Sequence, residues 1–324
     1  MQEKYPQART AAGSDRKDDR QDGRQPDRQA GNQTGRQAVR QSDRQAGRKE
    51  QTPSQGALLD QSTWAAPKKS LGQHFLRNPD ICQRIADLAL PHDEDQILEI
   101  GPGPGALTKV LERMPHAHLL LLEKDSHWAR VRSEEGGPRT EVRCMDALQF
   151  PWEELEGAWK VVGNLPYNVA SPLIWDIAAR CHALERAVFM VQKEVGQRLA
   201  ARPGTKDYGA LSVWVQAHLV PHLDFVVKPG AFLPPPKVDS AVLSFVPRPL
   251  AERPVEAHRL ARVLKICFQQ RRKQLGGLLR KSGETALLAR LEALGLPLTA
   301  RPEELSVTDF LNLSETSPAA SSRE

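Results

Sequence analysis

Asn164, with Pro166 and Tyr167 two and three residues further on, closes the short apolar run Val161-Val162-Gly163. An amide, a stiffened corner and an aromatic ring at that spacing can hold a flat, amine-bearing ring. The Asn164 side-chain carbonyl accepts from an exocyclic N–H, and Tyr167 offers a face for stacking. Pro166 fixes its own φ and biases Leu165 towards extended backbone, so the corner is held in one shape. The implied target is a nucleobase. Strand ends also use Asn and Pro simply to turn, with a nearby aromatic that only packs. The choice between these readings depends on what else converges there.

The elements that must position this corner read as an α/β unit. Ile97-Leu98-Glu99-Ile100 is an apolar strand ending at Gly101-Pro102-Gly103-Pro104-Gly105, after which Ala106, Leu107, Val110 and Leu111 resume helical spacing. Residues 117–122 form a second strand closed by Glu123, residues 141–145 a third closed by Asp146, and residues 160–163 a fourth closed by Asn164. Successive strands thus deliver glycine, carboxylate, carboxylate and amide at their C-terminal ends. In open parallel sheets ligands bind along that edge, so the four groups should meet.

Gly101, Gly103 and Ala106 fit the permissive dinucleotide fingerprint, so an NAD-dependent dehydrogenase is one reading. Glu123, about twenty residues on, would hold ribose hydroxyls in either case, since a carboxylate accepts two hydroxyl donors. Taken as Glu123-Lys124-Asp125 it also fits an exposed charged turn. Asp146 shifts the balance, because an acid at the third strand end suits an adenine amino group. Gly101 and Gly103 then leave room for an amino-acid moiety in place of a pyrophosphate. Lone acids at strand ends are often caps, so the combination with Asn164-Leu165-Pro166-Tyr167 carries the specificity.

Around this unit, Asn78-Pro79-Asp80 predicts a capped helix running to about Leu90, where Pro91 stops it. Helices are expected over 172–181, 193–201 and 210–219, strands over 187–191 and 223–227, and an edge strand over 238–245 after the stiff loop 232–237. Beyond Pro247 and Pro249 the pattern changes to short helices over 255–268, 273–281, 285–294 and 306–313. The expected division is therefore a tail at 1–66, an α/β domain at 67–248, a small all-α domain at 249–314 and a fraying end at 315–324.

Residues 1–66 are Gln, Arg, Asp, Gly and Ser with almost no large apolar side chains, and cannot bury enough surface to offset chain entropy. They carry twelve Lys or Arg against nine Asp or Glu, so of the formal net charge of +5 only about +2 belongs to the rest. Net charge therefore decides little, and clustering is more informative. Nine basic residues and one acid, Glu256, lie between Arg253 and Lys281, with Arg271, Arg272 and Lys273 crowding one junction between apolar segments. That crowding favours contact with phosphates over a merely solvated face. No secretory, transit or membrane-spanning pattern is present, which predicts a soluble, cytoplasmic protein. Cys82, Cys144, Cys181 and Cys267 show no metal spacing and are expected to be buried free thiols; no metal is expected.

The chain resembles the S-adenosylmethionine-dependent methyltransferases of class I, the Rossmann-like type, and within them the small-subunit ribosomal RNA adenine N6-dimethyltransferases. The resemblance runs from about Lys68 to Leu313. It rests on Leu71-Gly72-Gln73-His74-Phe75-Leu76, Glu99 to Gly105, Gly163 to Asn168, Gln192-Lys193-Glu194, Tyr208 to Ser212, Pro234 to Ser240 and Gln270 to Lys273. It implies that S-adenosylmethionine is the cofactor and that His74, Leu76, Gly101, Gly103, Glu123, Asp146 and Asn164 contact it. It implies also that Asn164, Leu165, Pro166, Tyr167 and Phe232 hold the target adenine, with Tyr167 and Phe232 sandwiching it. A lone Phe in a proline-rich loop packs into a core as readily, so Phe232 is assigned on the resemblance alone. His74 departs from the Asn commoner at that position. The implied partner is 16S ribosomal RNA in the immature small subunit, met by a monomer and contacted through Arg271, Arg272 and Lys273. The implied reaction dimethylates two adjacent adenosines near the 3′ end. A large-subunit methyltransferase of the antibiotic-resistance type and a ribosome-assembly binding factor are the alternatives.

Overall fold

The computed structural model describes residues 67, 68 and 71–315; the low-complexity stretch 1–66 and the end 316–324 lie outside the described residues. Strand alternation sorts the apolar side chains onto two faces of one sheet. Leu98, Ile100, Leu120, Leu122, Val161, Phe189 and Leu243 point to one core, and Ile97, Leu119, Leu121, Val162, Val188 and Val242 to the other. Both faces are therefore covered by helices, as a sheet of nearly continuous apolar strands requires.

In chain order, β1 (Phe75–Leu76) leads into α1 (Pro79–Leu88), where Asn78 accepts from the Ile81 N–H at 3.1 Å and Pro79 takes the first turn. Then follow β2 (Gln96–Ile100), α2 (Thr108–Leu111), β3 (His118–Glu123), α3 (Ser126–Glu135), β4 (Thr140–Cys144) and β5 (Trp159–Asn164). Next come α4 (Ala170–Arg180), β6 (Leu184–Gln192), α5 (Lys193–Leu199), α6 (Ala210–His218), β7 (Leu219–Val227), β8 (Phe232–Leu233) and β9 (Ser240–Pro247). The chain continues through α7 (Ala257–Cys267), α8 (Leu275–Ser282), α9 (Thr285–Ala293) and α10 (Val307–Ser314).

The large sheet has the order β4-β3-β2-β5-β6-β9-β7, with β2 to β6 parallel and β9 and β7 antiparallel to their neighbours. From β2 the chain moves outward to β3 and β4, then returns to β5 on the other flank. That reversal makes β2/β5 the switch point where a crevice opens beyond the strand ends. A separate two-stranded ribbon pairs Phe75 with Leu233 and Leu76 with Phe232.

Two expectations are corrected. The segment read as an edge strand, β9, lies between β6 and β7, and its first six residues are buried. The edge is β7, which begins directly at Leu219 after α6. Pro221 fits there because an edge strand need not donate on its open side. Of the cysteines, Cys82, Cys181 and Cys267 are buried and free as expected, but Cys144 is exposed, at the end of the opposite edge strand β4. Among the described residues there is no group of side chains that could hold a metal ion, and no helix long and apolar enough to cross a membrane.

Candidate functional site

Gly101 leaves β2 with φ +67° and Gly103 follows with φ +51°, both in the left-handed region that a side chain disfavours. A Cβ on Gly101 would meet nothing within 4 Å, so its backbone borders open space at the strand end. The turn is held from below by the next strand. Glu123, at the end of β3 and 5 % exposed, accepts from the Gly103 N–H through Oε2 at 2.9 Å and from the Asp125 N–H through Oε1 at 2.8 Å. Burial pushes its carboxyl above the ordinary range, and the two N–H donors pull it back. Each oxygen keeps a lone pair for a further donor.

Asp146 follows β4, the strand flanking β3. Its Oδ1 accepts from the Leu148 N–H at 3.1 Å, and its Oδ2 accepts from the Lys124 ammonium at 2.7 Å. It is thus a cap and an ion-pair partner as well as part of the cleft wall. Lys124 sets the rotamer of an acid that the sequence reading treated as unaccompanied. The adjacent Glu123-Lys124 dipeptide was the available signal.

On the other side of β2, Asn164 ends β5 and donates from Nδ2 to the His74 carbonyl at 2.8 Å. This bond fixes the amide orientation, because only the nitrogen can donate to a carbonyl, and it leaves Oδ1 as the remaining acceptor of a residue that lines the cleft. The Leu165 N–H donates to Met190 O at 3.0 Å, extending the β5/β6 pairing by one step. Its side chain is buried, and its carbonyl accepts from no donor among the described residues. Tyr167 is braced by a 2.6 Å hydrogen bond between its hydroxyl and that of Ser240, which is fully buried at the start of β9. Burial raises the Tyr167 phenol above its ordinary value, so it stays neutral.

The cleft bounded by these groups has about 910 Å³ of free space, including its mouth, and is walled by Gly72, His74, Gly101, Gly103, Glu123, Asp146, Asn164, Leu165, Pro166 and Tyr167 among others. The four strand-end groups therefore share one cleft. Residues 71–75 form its near wall. They are tied down by Asp125, which accepts from Lys68 Nζ at 2.7 Å and Gln73 Nε2 at 3.2 Å. Sequence reasoning had no periodicity from which to see this strap.

Leu76 and Phe232 stand elsewhere. They face each other across the β1/β8 ribbon, 4 % and 3 % exposed, in the core beneath α1, and neither lines the cleft. The sandwich expected from Tyr167 and Phe232 is absent from this arrangement. The ring against Tyr167 is instead that of His74, with centroids 5.4 Å apart and planes at 25°. His74 Nδ1 donates to Pro234 O at 2.8 Å, which anchors the imidazole to the loop after β8.

In the basic cluster, Arg272 and Lys273 are exposed, whereas Arg271 donates to Thr205 O at 3.0 Å and lies 3.7 Å from Glu303. Arg271 thus holds the helical part against the loop after α5, and Arg272 and Lys273 at that junction have no carboxylate partner among the described residues. Arg259 and Arg262 of the same cluster are paired with Glu256 and Glu284.

A family model described as ribosomal RNA adenine dimethylase matches residues 65–317. The ribosomal RNA small subunit methyltransferase A of Nitratidesulfovibrio vulgaris is 54 % identical over 253 residues, covering 76 % of this chain and 95 % of that protein. The protein of the same name from Lawsonia intracellularis is 49 % identical over 252 residues, covering 77 % and 93 %. Among solved structures, a dimethyladenosine transferase from Plasmodium falciparum superposes with a TM-score of 0.63 at 26 % identity, over 74 % of this chain and 96 % of that one. The 23S rRNA methyltransferase ErmE gives 0.56 at 27 % identity, over 74 % and 98 %.

Proposed function

The chain belongs to the ribosomal RNA adenine dimethylase family, and from that premise we propose that it dimethylates N6 of two adjacent adenosines near the 3′ end of 16S rRNA. It is an S-adenosylmethionine-dependent rRNA methyltransferase with an α/β fold of class I. The proposal concerns the adenosines, the residue roles and the setting: an immature small subunit in the cytoplasm, met by a monomer. The observation that carries it is the Asn164 amide, locked onto the His74 carbonyl through Nδ2 with Oδ1 left as acceptor, on the wall of a cleft it shares with a braced Tyr167.

The residues present fit the methyl donor. Gly101 presents bare backbone to open space, and Glu123 keeps acceptor capacity for a ribose diol. Asp146 lines the same cleft, and in this reading its remaining lone pairs accept from the adenine amino group. When bound there, S-adenosylmethionine supplies an electrophilic methyl group. His74 contributes its backbone to the same wall, while Leu76 acts behind it through packing.

The adenine amine is a weak nucleophile because its lone pair is delocalised into the ring. Acceptance of its two N–H bonds by Asn164 Oδ1 and the Leu165 carbonyl favours a pyramidal nitrogen and stabilises the positive charge that develops on it. In this reading the nitrogen bonds the methyl carbon as the carbon–sulfur bond of the donor breaks to leave a neutral thioether, and the proton passes to water, so no strong base is required. Tyr167 gives the base a stacking face, and Pro166 keeps Leu165 and Tyr167 in register. An adenosine turned out of its helix is the form that can enter.

Division of labour between residues 67–248 and 249–314 belongs to the same proposal, with Arg272 and Lys273 placing the rRNA and the cleft selecting the base. The test is single-turnover methylation of under-methylated small and large subunits offered together, followed by nucleoside analysis of the separated rRNAs. Dimethyladenosine near the 3′ end of 16S rRNA is expected, and its appearance in 23S rRNA alone would transfer the activity to the large subunit. Asn164→Ala should slow transfer by at least about 100-fold, as loss of one preorganised charge-stabilising partner does, while S-adenosylmethionine binding changes much less.

A further inference from the structure

A second concavity lies at the other end of the β1/β8 ribbon. His74 and Pro234, joined by a hydrogen bond, mark the cleft end of the ribbon; Arg77, whose N–H donates to Ala231 O at 2.9 Å, marks the far end. His74 and Arg77 are three positions apart, a reach of at most about 10 Å. Beyond that end α1, the C-terminal side of α2 and the last turn of β7 enclose an open groove lined by Arg77, Arg84, Arg113 and Lys228, with Phe225 in its wall and Asp80 as its one carboxylate.

The charge of this groove is largely uncompensated. Arg77, Arg84 and Arg113 are exposed, and none is paired with a carboxylate among the described residues. Arg84 instead lies over the Phe225 ring, its guanidinium carbon 3.6 Å from the centroid. That contact orients the cation without neutralising it. Lys228 alone is engaged, with Asp239 at 2.9 Å. Other cations of the surface, Arg130, Arg180, Arg198 and Arg262 among them, do have acid partners. Three unpaired arginines around one half-buried aromatic are an electrostatic footprint for a polyanion that also carries stackable rings.

We propose that this groove binds the rRNA strand flanking the target adenosine, with Arg77, Arg84 and Arg113 on successive phosphates and Phe225 beside a base. The inference rests on the proposed function, since it takes rRNA as the substrate. It adds a contact surface on the opposite side of the ribbon from the methyl-donor cleft and separate in sequence from Arg272 and Lys273. The strand that enters the cleft at His74 would leave across the ribbon into a matching field.

The experiment compares the full chain with an Arg77→Ala, Arg84→Ala, Arg113→Ala variant in binding to small subunits and to protein-free 16S rRNA across a salt series. The variant should bind both about 10–100-fold more weakly near physiological salt, and the slope of log K against log salt should be shallower by about 2, as loss of three phosphate contacts to a single strand requires. S-adenosylmethionine affinity and melting temperature should match those of the parent; if they do not, the single Arg113→Glu variant carries the comparison. An unchanged affinity and slope would overturn the proposal. A loss confined to subunits, with protein-free rRNA bound normally, would also overturn it and assign the groove to a ribosomal protein. A parent chain that neither binds nor methylates 16S rRNA would instead defeat the functional reading, and the groove assignment with it.

Discussion

Tyr167 depends on a residue 73 positions away. Its hydroxyl has Ser240 as partner at 2.6 Å, and Ser240 is fully buried, so the ring can pivot only by breaking a bond that water cannot replace. Ser240→Ala should therefore cost the corner about 1–2 kcal/mol, which appears as a roughly 5–30-fold fall in methyl transfer at saturating donor. Tyr167→Phe in the Ser240→Ala background should cost little more, because the bond is already gone, and a double-mutant cycle on single-turnover rates measures that coupling. His74 makes a second case. Its imidazole lies against Tyr167 and its backbone carbonyl holds Asn164. His74→Asn should retain the carbonyl contact and hence S-adenosylmethionine affinity within about 3-fold, since a backbone contact does not depend on the side chain, while exposing more of the Tyr167 face. Equal donor affinity in a calorimetric titration is the expected result. At this scale Asn164 and Tyr167 were legible in the sequence, because amide, proline and aromatic stand within four residues. Ser240 was not, since a bond across 73 residues leaves no local spacing to read.

At the scale of the element, the β2–turn–α2 unit carries a buried acid that the reaction does not use. Glu99 is 2 % exposed on β2, accepts from the Thr108 hydroxyl at 2.7 Å, and is pushed by burial up to about 8, with Arg132 opposing the shift. Because the folded value lies above the ordinary value of 4.5, the native state holds this proton more tightly than the unfolded chain does. The contribution to stability is complete below about pH 4.5 and is lost as pH rises to about 8. Glu99→Gln should remove that dependence, so that melting curves of the two proteins separate between pH 5 and 8 by on the order of 3 kcal/mol. In the same turn Gly105 has φ +85°, and a Cβ there would collide with the Arg132 guanidinium. Gly105→Ala should thus destabilise by more than about 1 kcal/mol, read as a lower denaturant midpoint. The strand-turn-helix unit itself was plain in the sequence from its glycines and its two periodicities. The place of β9 was not: an alternating apolar strand near the end of an α/β segment reads as an edge. Only the pairing of β7 outside it, tolerated by Pro221, moves it inward. Phe232 was misplaced for a related reason, because its burial is decided by a two-residue ribbon with Leu76 that no pattern announces.

For the molecule as a whole, the change to short helices after Pro247 suggested a separate domain from residue 249 to 314. The packing shows what that signal leaves out. Leu260, Leu264, Leu275, Leu279, Leu291, Phe310 and Leu313 belong to the same continuous core as Leu98, Phe189, Trp214 and Phe245, with α7 and α10 packed directly on α6. The helical part is thus joined to the sheet through apolar side chains and is not tethered by a linker. Burying a large apolar side chain contributes about 1.5–3 kcal/mol, so seven such residues amount to roughly 10–20 kcal/mol before entropy is subtracted. That matches or exceeds the net stability of an ordinary domain, about 5–15 kcal/mol. A chain ending at Arg248 should accordingly lose its cooperative thermal transition and its S-adenosylmethionine binding together, although every residue of the donor cleft is retained. Circular dichroism melts and a donor titration on the truncated protein check this. A folded, donor-binding fragment would mean that the helices only position rRNA. The expected loss means that the helical part and the cleft stand on one core, which would hold the proposed rRNA contacts, Arg272 and Lys273, at a set distance from Asn164.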